Sequence, residues 1–242
     1  MDSKLKKSVV EYITENITAF HTKRVLLISQ IKLNKILKRK NPYLYKAKNV
    51  STAGELVKSV VDAFLSSQEE TIFGDFLEGL ARFVCQAVYH GQKSASEGID
   101  LDFSKDDIRY LVSIKSGPNW GNSSQIKKMR DNFKQAKRIL STNQSKINIV
   151  AVNGCCYGRD SKADKGEYLK LCGQSFWEFI SGDKNMYLEI IEPLGKDARQ
   201  KNDAFLKEYS KVINKFTAEF IAEFCADGLI DWERLVAFNS QT

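Results

Sequence analysis

The chain has 242 residues and a formal charge of +7. Hydrophobic residues make up 43% and charged residues 28%, enough to bury a sizeable core without disulfides or a structural metal, and no apolar run is long enough to span a bilayer. Five scattered cysteines, an odd number, fit free thiols in a reducing cytosol better than a disulfide framework. The opening MDSKLKKSVVEYITEN lacks an apolar signal core and carries acids, so it does not read as a secretory signal. The positive balance favours an acidic partner such as nucleic acid.

Residues 4–38 read as helices, with apolar positions at helical spacing that include Leu26, Leu27, Ile31 and Leu37. From Lys32 to Lys48 the chain carries seven basic residues (Lys32, Lys35, Lys38, Arg39, Lys40, Lys46, Lys48) and no acid. Such a run is either a solvated face or a surface for an anionic partner. Asn41-Pro42 breaks the helical pattern. Ser51-Thr52 with Glu55 is an N-terminal capping signal for a helix to about Leu65. A further helix spans about Thr71 to Tyr89. Its stripe is Phe73, Leu77, Leu80, Val84 and Ala87, with Glu78 beside it.

The period then changes to two. In GIDLDF, Ile99, Leu101 and Phe103 point to one side of a strand, and Asp100 and Asp102 to the other. Ser104–Ile108 turns the chain, and Arg109–Ser116 returns. Tyr110, Val112 and Ile114 share one face, Ser113 and Lys115 the opposite one. Gly117-Pro118 ends the strand. Asn122 with Gln125 is a second capping signal, for a helix from Ser123 to Leu140 with apolar Ile126, Met129, Phe133, Ala136 and Leu140. KINIVAVNG, from Lys146 to about Asn153, reads as a central buried strand. A polar loop covers Asn153–Gly166, EYLKLCG supplies a fourth strand, and QSFWEFISG and the segment to Leu194 read as helical. A long helix from about Ala198 to Ala226 carries Phe205, Tyr209, Val212, Phe216, Phe220 and Phe224, a stripe for the core or for a dimer interface. The pattern is that of one α/β domain: a helical N-terminal part (1–66), a core (67–194) and a helical C-terminal part (195–242).

A lysine embedded in an apolar strand needs an explanation. The hairpin can bring Asp100, Asp102 and Lys115 together, because paired strands lie about 4.8 Å apart. Two carboxylates offer hard oxygen ligands for Mg²⁺. A lysine beside them can orient a water, help deprotonate it, or stabilise charge developing on a phosphate. The competing account is a solvated hairpin with an internal salt bridge. Cys155-Cys156 with Cys172 lacks the usual zinc-ligand spacing and has no histidine nearby. No nucleophile triad, P-loop or dinucleotide fingerprint occurs.

The order of helix, strand with acid, strand with x-x-Lys, helix and strand resembles the PD-(D/E)xK nuclease core. Asp100 matches the first acid, Lys115 the lysine, and Glu78 an acid on the preceding helix. More narrowly, GIDLDF…YLVSIKSGPNWGNSSQ, with NGCCYG and CGQSFWEFISG downstream, resembles type II restriction endonucleases of the PmeII kind over about Phe73 to Ile191. Two positions depart from the pattern. Ile99 stands where a proline precedes the first acid, and Ser113 stands where an acid is expected two residues before the lysine. The resemblance leaves Asp102 or Glu78 to complete the ligand set, and adds the carbonyl of Ile114.

The resemblance implies a mixed central sheet flanked by helices and a Mg²⁺-dependent enzyme that cuts double-stranded DNA at a short sequence. It further implies a homodimer in a prokaryotic cytoplasm, without membrane association, and a cognate methyltransferase as genetic partner. Asp100, Lys115 and Glu78 carry catalysis, and Asp100, Asp102 and Ile114 hold the metal. Ser116, Asn119, Asn122, Ser123, Gln125, Lys127, Lys128, Arg159 and Lys162 are the expected DNA contacts. Trp120 can pack the loop down or touch the DNA. Two rival readings are a repair or junction nuclease on the same core and an inactive DNA-binding protein.

Overall fold

Apolar residues alternating on either side of a tight acidic turn form the first two strands of a four-stranded sheet. A computed structural model of the chain describes residues 3–143 and 148–241. Its elements, in chain order, are α1 (Ser3–Gln30), α2 (Leu33–Leu37), α3 (Pro42–Ala47), α4 (Ala53–Tyr89), β1 (Leu101–Lys105), β2 (Ile108–Lys115), α5 (Ser123–Asn143), β3 (Asn148–Cys155) and β4 (Leu169–Cys172). There follow α6 (Gln174–Ser181), α7 (Met186–Glu189), α8 (Ile191–Gly195), α9 (Ala198–Phe224), β5 (Cys225–Ala226), β6 (Leu229–Ile230) and α10 (Trp232–Ser240). They form two compact units. One holds residues 3–17 and 73–196, the other residues 18–72 and 197–241.

The first unit is a mixed sheet in the order β1-β2-β3-β4. β1 and β2 pair antiparallel, with Leu101 opposite Val112 and Asp102 opposite Leu111. The turn is Asp106-Asp107, both with positive φ (52° and 59°), the mirror-type turn whose twist suits a hairpin. β2 and β3 run parallel, as do β3 and β4, and α5 makes the crossover between β2 and β3. Its apolar stripe, Met129, Phe133 and Ala136, buries against Ile99, Leu111 and Ala151. Elsewhere in the unit, Phe103 lies against Tyr89 of α4 and Phe179 of α6, with centroids 5.5 and 5.3 Å away. β2 is therefore buried on both faces from Leu111 to Ile114.

The second unit is helical. Leu56, Val60, Val61 and Leu65 of α4 pack with Phe205, Phe216, Phe220 and Phe224 of α9, and α2 adds Leu33, Ile36 and Leu37. The aromatic stripe of α9 is thus core of its own chain. Four expectations shift. Helix 53–65 and helix 71–89 are one continuous α4, because the intervening SSQEE is polar but contains no Gly or Pro to break it. Pro42 starts α3 at its first turn, with Asn41 accepting a capping bond from the Tyr43 N–H, instead of merely ending a helix. Leu26 and Ala87 are exposed, and Ile99 packs with α5, since the chain turns at Ser96–Ile99 before β1 begins. Residues 225–240 form a two-residue hairpin on Asp227-Gly228 and then α10, where uninterrupted helix was expected near the end.

β3 runs to Cys155, two residues past its expected end, because Gly154 and Cys155 continue the ladder to Ile114 and Lys115 on one side and to Leu171 and Cys172 on the other. Its expected first residues, Lys146 and Ile147, lie outside the described residues. Gly154 is required for close approach: a Cβ there would lie 2.1 Å from the buried ring of Phe176. Gly154→Ala is expected to destabilise the protein by about 1–3 kcal/mol through overpacking, measured by urea unfolding.

Candidate active site

The site forms where β1 begins and β2 runs on. Asp100 lies one residue before β1, and its N–H still donates to the Val112 carbonyl (2.9 Å). Its side chain faces Ser113. The Ile114 N–H donates to Asp100 Oδ2 at 2.7 Å, and the Ser113 hydroxyl approaches the same oxygen at 3.4 Å. A backbone amide thus fixes one carboxylate oxygen and leaves the other turned away from the strand. Ser113 is 2% exposed. An acid there would bury a second negative charge against Asp100, and the hydroxyl avoids that cost.

The second carboxylate comes from α4. Gly74 approaches Ser116, with the position of a Cβ 3.5 Å from the serine Cβ, which sets this part of α4 against the end of β2. Glu78 follows one turn later and is half-buried. Burial raises its pKa above the ordinary 4.5, Asp100 raises it further, and Arg82 and Lys115 oppose the rise. Arg82 Nε lies 3.8 Å from Glu78 Oε1, too far for a hydrogen bond. Glu78, Asp100 and Lys115 therefore act on one another electrostatically.

Asp102 takes a different place. It sits opposite Leu111, four residues from Lys115 along β2, or roughly 13 Å at strand spacing. Both its oxygens accept from the Arg109 guanidinium (2.9 and 2.8 Å). Arg109, which the sequence reading did not single out, holds this carboxylate in a two-pronged pair.

Lys115 has an aromatic neighbour. Its Nζ lies 5.1 Å from the centroid of the Trp120 ring. The Trp120 Nε1–H donates to Asn153 Oδ1 (3.1 Å), and Asn153 Nδ2 donates to the Ser113 carbonyl (3.2 Å). Asn153 is 1% exposed on β3, directly opposite Ser113 in the ladder. It is the main site-supporting residue that sequence reasoning missed. The available signal was an asparagine inside the apolar run KINIVAVNG.

The expected DNA contacts spread over the loops beside this edge. Ser116 is half-buried and Asn119 exposed. Asn122 and Gln125 form a full capping box: the Gln125 N–H donates to Asn122 Oδ1 and the Asn122 N–H to Gln125 Oε1, both at 3.0 Å. Ser123 is exposed at the start of α5. Lys127 pairs with Asp131 (3.2 Å) and Lys128 with Glu97 (3.1 Å). Arg159 and Lys162 are exposed, and Arg159 lines a cleft of about 780 Å³ with Tyr157, Gln174 and Trp177. Between them, Asp160 accepts from Lys165 Nζ (2.8 Å) and from the Lys162 N–H (3.0 Å). These bonds pull its carboxyl down to about 2. Lys170 bridges Asp160 Oδ2 (3.3 Å) and the Pro118 carbonyl (2.9 Å), tying this loop to the one after Lys115.

The five cysteines are free thiols, and burial pushes Cys156 up to about 12. No group of three or more His, Cys, Asp or Glu side chains that could hold a metal ion occurs among the described residues. No helix among them is long and apolar enough to cross a membrane.

A mixed sheet flanked by helices is consistent with a restriction endonuclease fold. The family model described as Type II restriction endonuclease EcoO109I matches residues 7–202, most of the chain, and the chain belongs to that family. No curated protein matches it. The PmeII likeness read from the sequence is a narrower kinship than this family description carries.

Two stability measurements check the geometry. Glu78 has a folded pKa above its unfolded one, so the native state binds more protons between the two values and stability falls as pH rises through that window. Glu78→Gln is expected to melt above wild type at pH 7 in metal-free buffer, and the two melting temperatures should converge below about pH 4.5, where both forms are neutral. Asn153→Leu leaves the Trp120 N–H without its buried acceptor, and should cost about 1–3 kcal/mol by urea unfolding.

Proposed function

We propose that this protein is a Mg²⁺-dependent endonuclease that hydrolyses phosphodiester bonds of double-stranded DNA at a short, palindromic sequence. The observation that carries this reading is the convergence of Asp100, Glu78 and Lys115 at the open end of the β1–β2 hairpin, in a chain of the EcoO109I family. Of the two carboxylates left open by the sequence, Glu78 has the support. It lies in the field of Asp100 and Lys115, whereas Asp102 is held by Arg109.

The residues present fit a hard divalent cation. Burial raises Glu78 and the Asp100 charge raises it further, and a cation placed there would favour both carboxylates in their charged form. Mg²⁺ is commonly held by one or two carboxylates and otherwise keeps its waters. The free oxygen of Asp100, the Glu78 carboxylate and the Ile114 carbonyl, which leaves the strand on the same edge as its N–H, would hold it. When bound, it supplies Lewis-acid charge and a more acidic water. Lys115 brings a positive charge to the same edge, where it orients the attacking water or stabilises charge on the phosphate. The Trp120 ring, fixed by Asn153, confines its ammonium group.

By family resemblance the products carry 5′-phosphate and 3′-hydroxyl ends. A homodimer would match the two-fold symmetry of a palindromic site. Ser116, Asn119, Ser123, Lys127, Lys128, Arg159 and Lys162 are proposed as DNA contacts. Asn122 and Gln125 contribute through the helix start that they cap. A prokaryotic cytoplasm and a neighbouring methyltransferase gene belong to the same reading.

The test is a plasmid digest with Mg²⁺. Wild type should give discrete fragments. Asp100→Ala and Lys115→Ala should each lose about 100-fold or more in rate, while Asp102→Asn keeps most of its cleavage. Undiminished cutting by Asp100→Ala and Lys115→Ala would sink the site assignment. Preference for branched over plain duplex would indicate a junction or repair nuclease, and DNA binding without cutting an inactive core.

A further inference from the structure

The basic run from Lys32 to Lys48 is not used by the site above. It lies on α2, α3 and the loops around them, in the helical unit. Of its apolar members, Leu33, Ile36, Leu37 and Tyr45 are buried in that unit's core, and Tyr43 and Leu44 are exposed. The cations point the other way: Lys32, Lys35, Lys38, Arg39, Lys46 and Lys48 are exposed, and Lys40 is partly so. The surface is held from beneath. Asn239 of α10 donates to the Leu37 carbonyl (2.8 Å) and the Lys40 carbonyl (3.2 Å), and Asn41 caps α3.

Three other surface lysines of this unit are neutralised locally. Lys58 pairs with Asp62, Lys211 with Glu208 and Lys215 with Glu219. None of the seven cations between Lys32 and Lys48 forms an ion pair among the described residues, and the segment itself contains no acid. A cluster of like charges with no counter-charge raises the energy of the free protein and is relieved by an external polyanion. Lys38 and Lys46 also lie over the rings of Phe238 and Trp232 (5.3 Å each), which limits their wandering.

We propose that the Lys32–Lys48 surface is a second contact for the phosphate backbone of duplex DNA, supplied by the helical unit and independent of base sequence. This inference rests on the reading of the protein as a DNA endonuclease. A lipid surface fits less well. α2 and α3 have five and six residues, and most of their apolar side chains are already buried in the core; Tyr43 and Leu44 stand exposed, a small apolar surface for insertion.

Each phosphate contact releases counterions and steepens the salt dependence of binding by roughly 0.9 in log–log slope. The experiment measures binding of a fluorescent duplex to the full chain, in metal-free buffer, from low to moderate salt. The triple variant Lys35→Gln/Arg39→Gln/Lys48→Gln should reduce the slope by about two to three. The control variant Lys58→Gln/Lys211→Gln/Lys215→Gln removes the same charge from the same unit but takes it from existing ion pairs, and should leave the slope near wild type. Equal effects of the two variants would overturn the proposal, because net charge alone would then account for both. An unchanged slope in the basic-surface variant would overturn it too, and so would binding to anionic phospholipid vesicles lost only in that variant. The measurement needs no catalysis, so it fails separately from the active-site assignment. Asp100→Ala should show the wild-type slope. If wild type binds no duplex at all, both readings fall.

Discussion

One hydrogen bond sets the geometry on which the site depends: the Ile114 N–H held by the Asp100 carboxylate. It forms because β1 begins only one residue after Asp100 while antiparallel β2 runs on past that point, so the next amide of β2 has no strand partner and takes a side chain instead. That single contact satisfies a buried backbone donor, fixes one oxygen of the acid and closes the hairpin register. Side chains alternate with a period of two. A slip of one residue between β1 and β2 would therefore turn Asp100 away from the face that carries Ser113 and Lys115.

Around that bond the chain sets rigid supports against an unfavourable centre. Glu78 is half-buried beside a second carboxylate, and its partner Arg82 stands too far off for a hydrogen bond. The supports are well satisfied. Asn153 spends its side chain on Trp120 and the Ser113 carbonyl, and Lys170 ties Asp160 to the Pro118 carbonyl. An unfavourable electrostatic centre is thus held in place by satisfied polar bonds around it.

Charge is distributed on a similar principle. In the helical unit, Lys58, Lys211 and Lys215 each face an acid about one turn away, and the cations of the segment Lys32–Lys48 do not. The Asp102–Arg109 pair shows the opposite use of charge. An acid that resembles a ligand by its spacing is neutralised by a residue seven positions on, and serves to brace the hairpin.

Much of this was legible in the sequence. The change from helical to two-residue period marked the hairpin, Asn122 with Gln125 marked the start of α5, and the odd strand lysine marked the site. Local spacing carried these signals, because caps, turns and alternation are decided within a few residues. The continuity of α4 was not legible, since SSQEE is neutral between loop and helix until both flanks are packed. Which of Glu78 and Asp102 lies in the field of Asp100, and what Asn153 does, were out of reach. Each depends on a partner far along the chain or across a strand register: Asp100 and Lys115 for Glu78, a four-residue offset for Asp102, and Trp120 for Asn153. The sequence by itself determined which residues could do chemistry. Only the tertiary structure separated the two carboxylates, Asp102 held by Arg109 and Glu78 half-buried in the field of Asp100, because that difference is made by distance and burial, not by spacing.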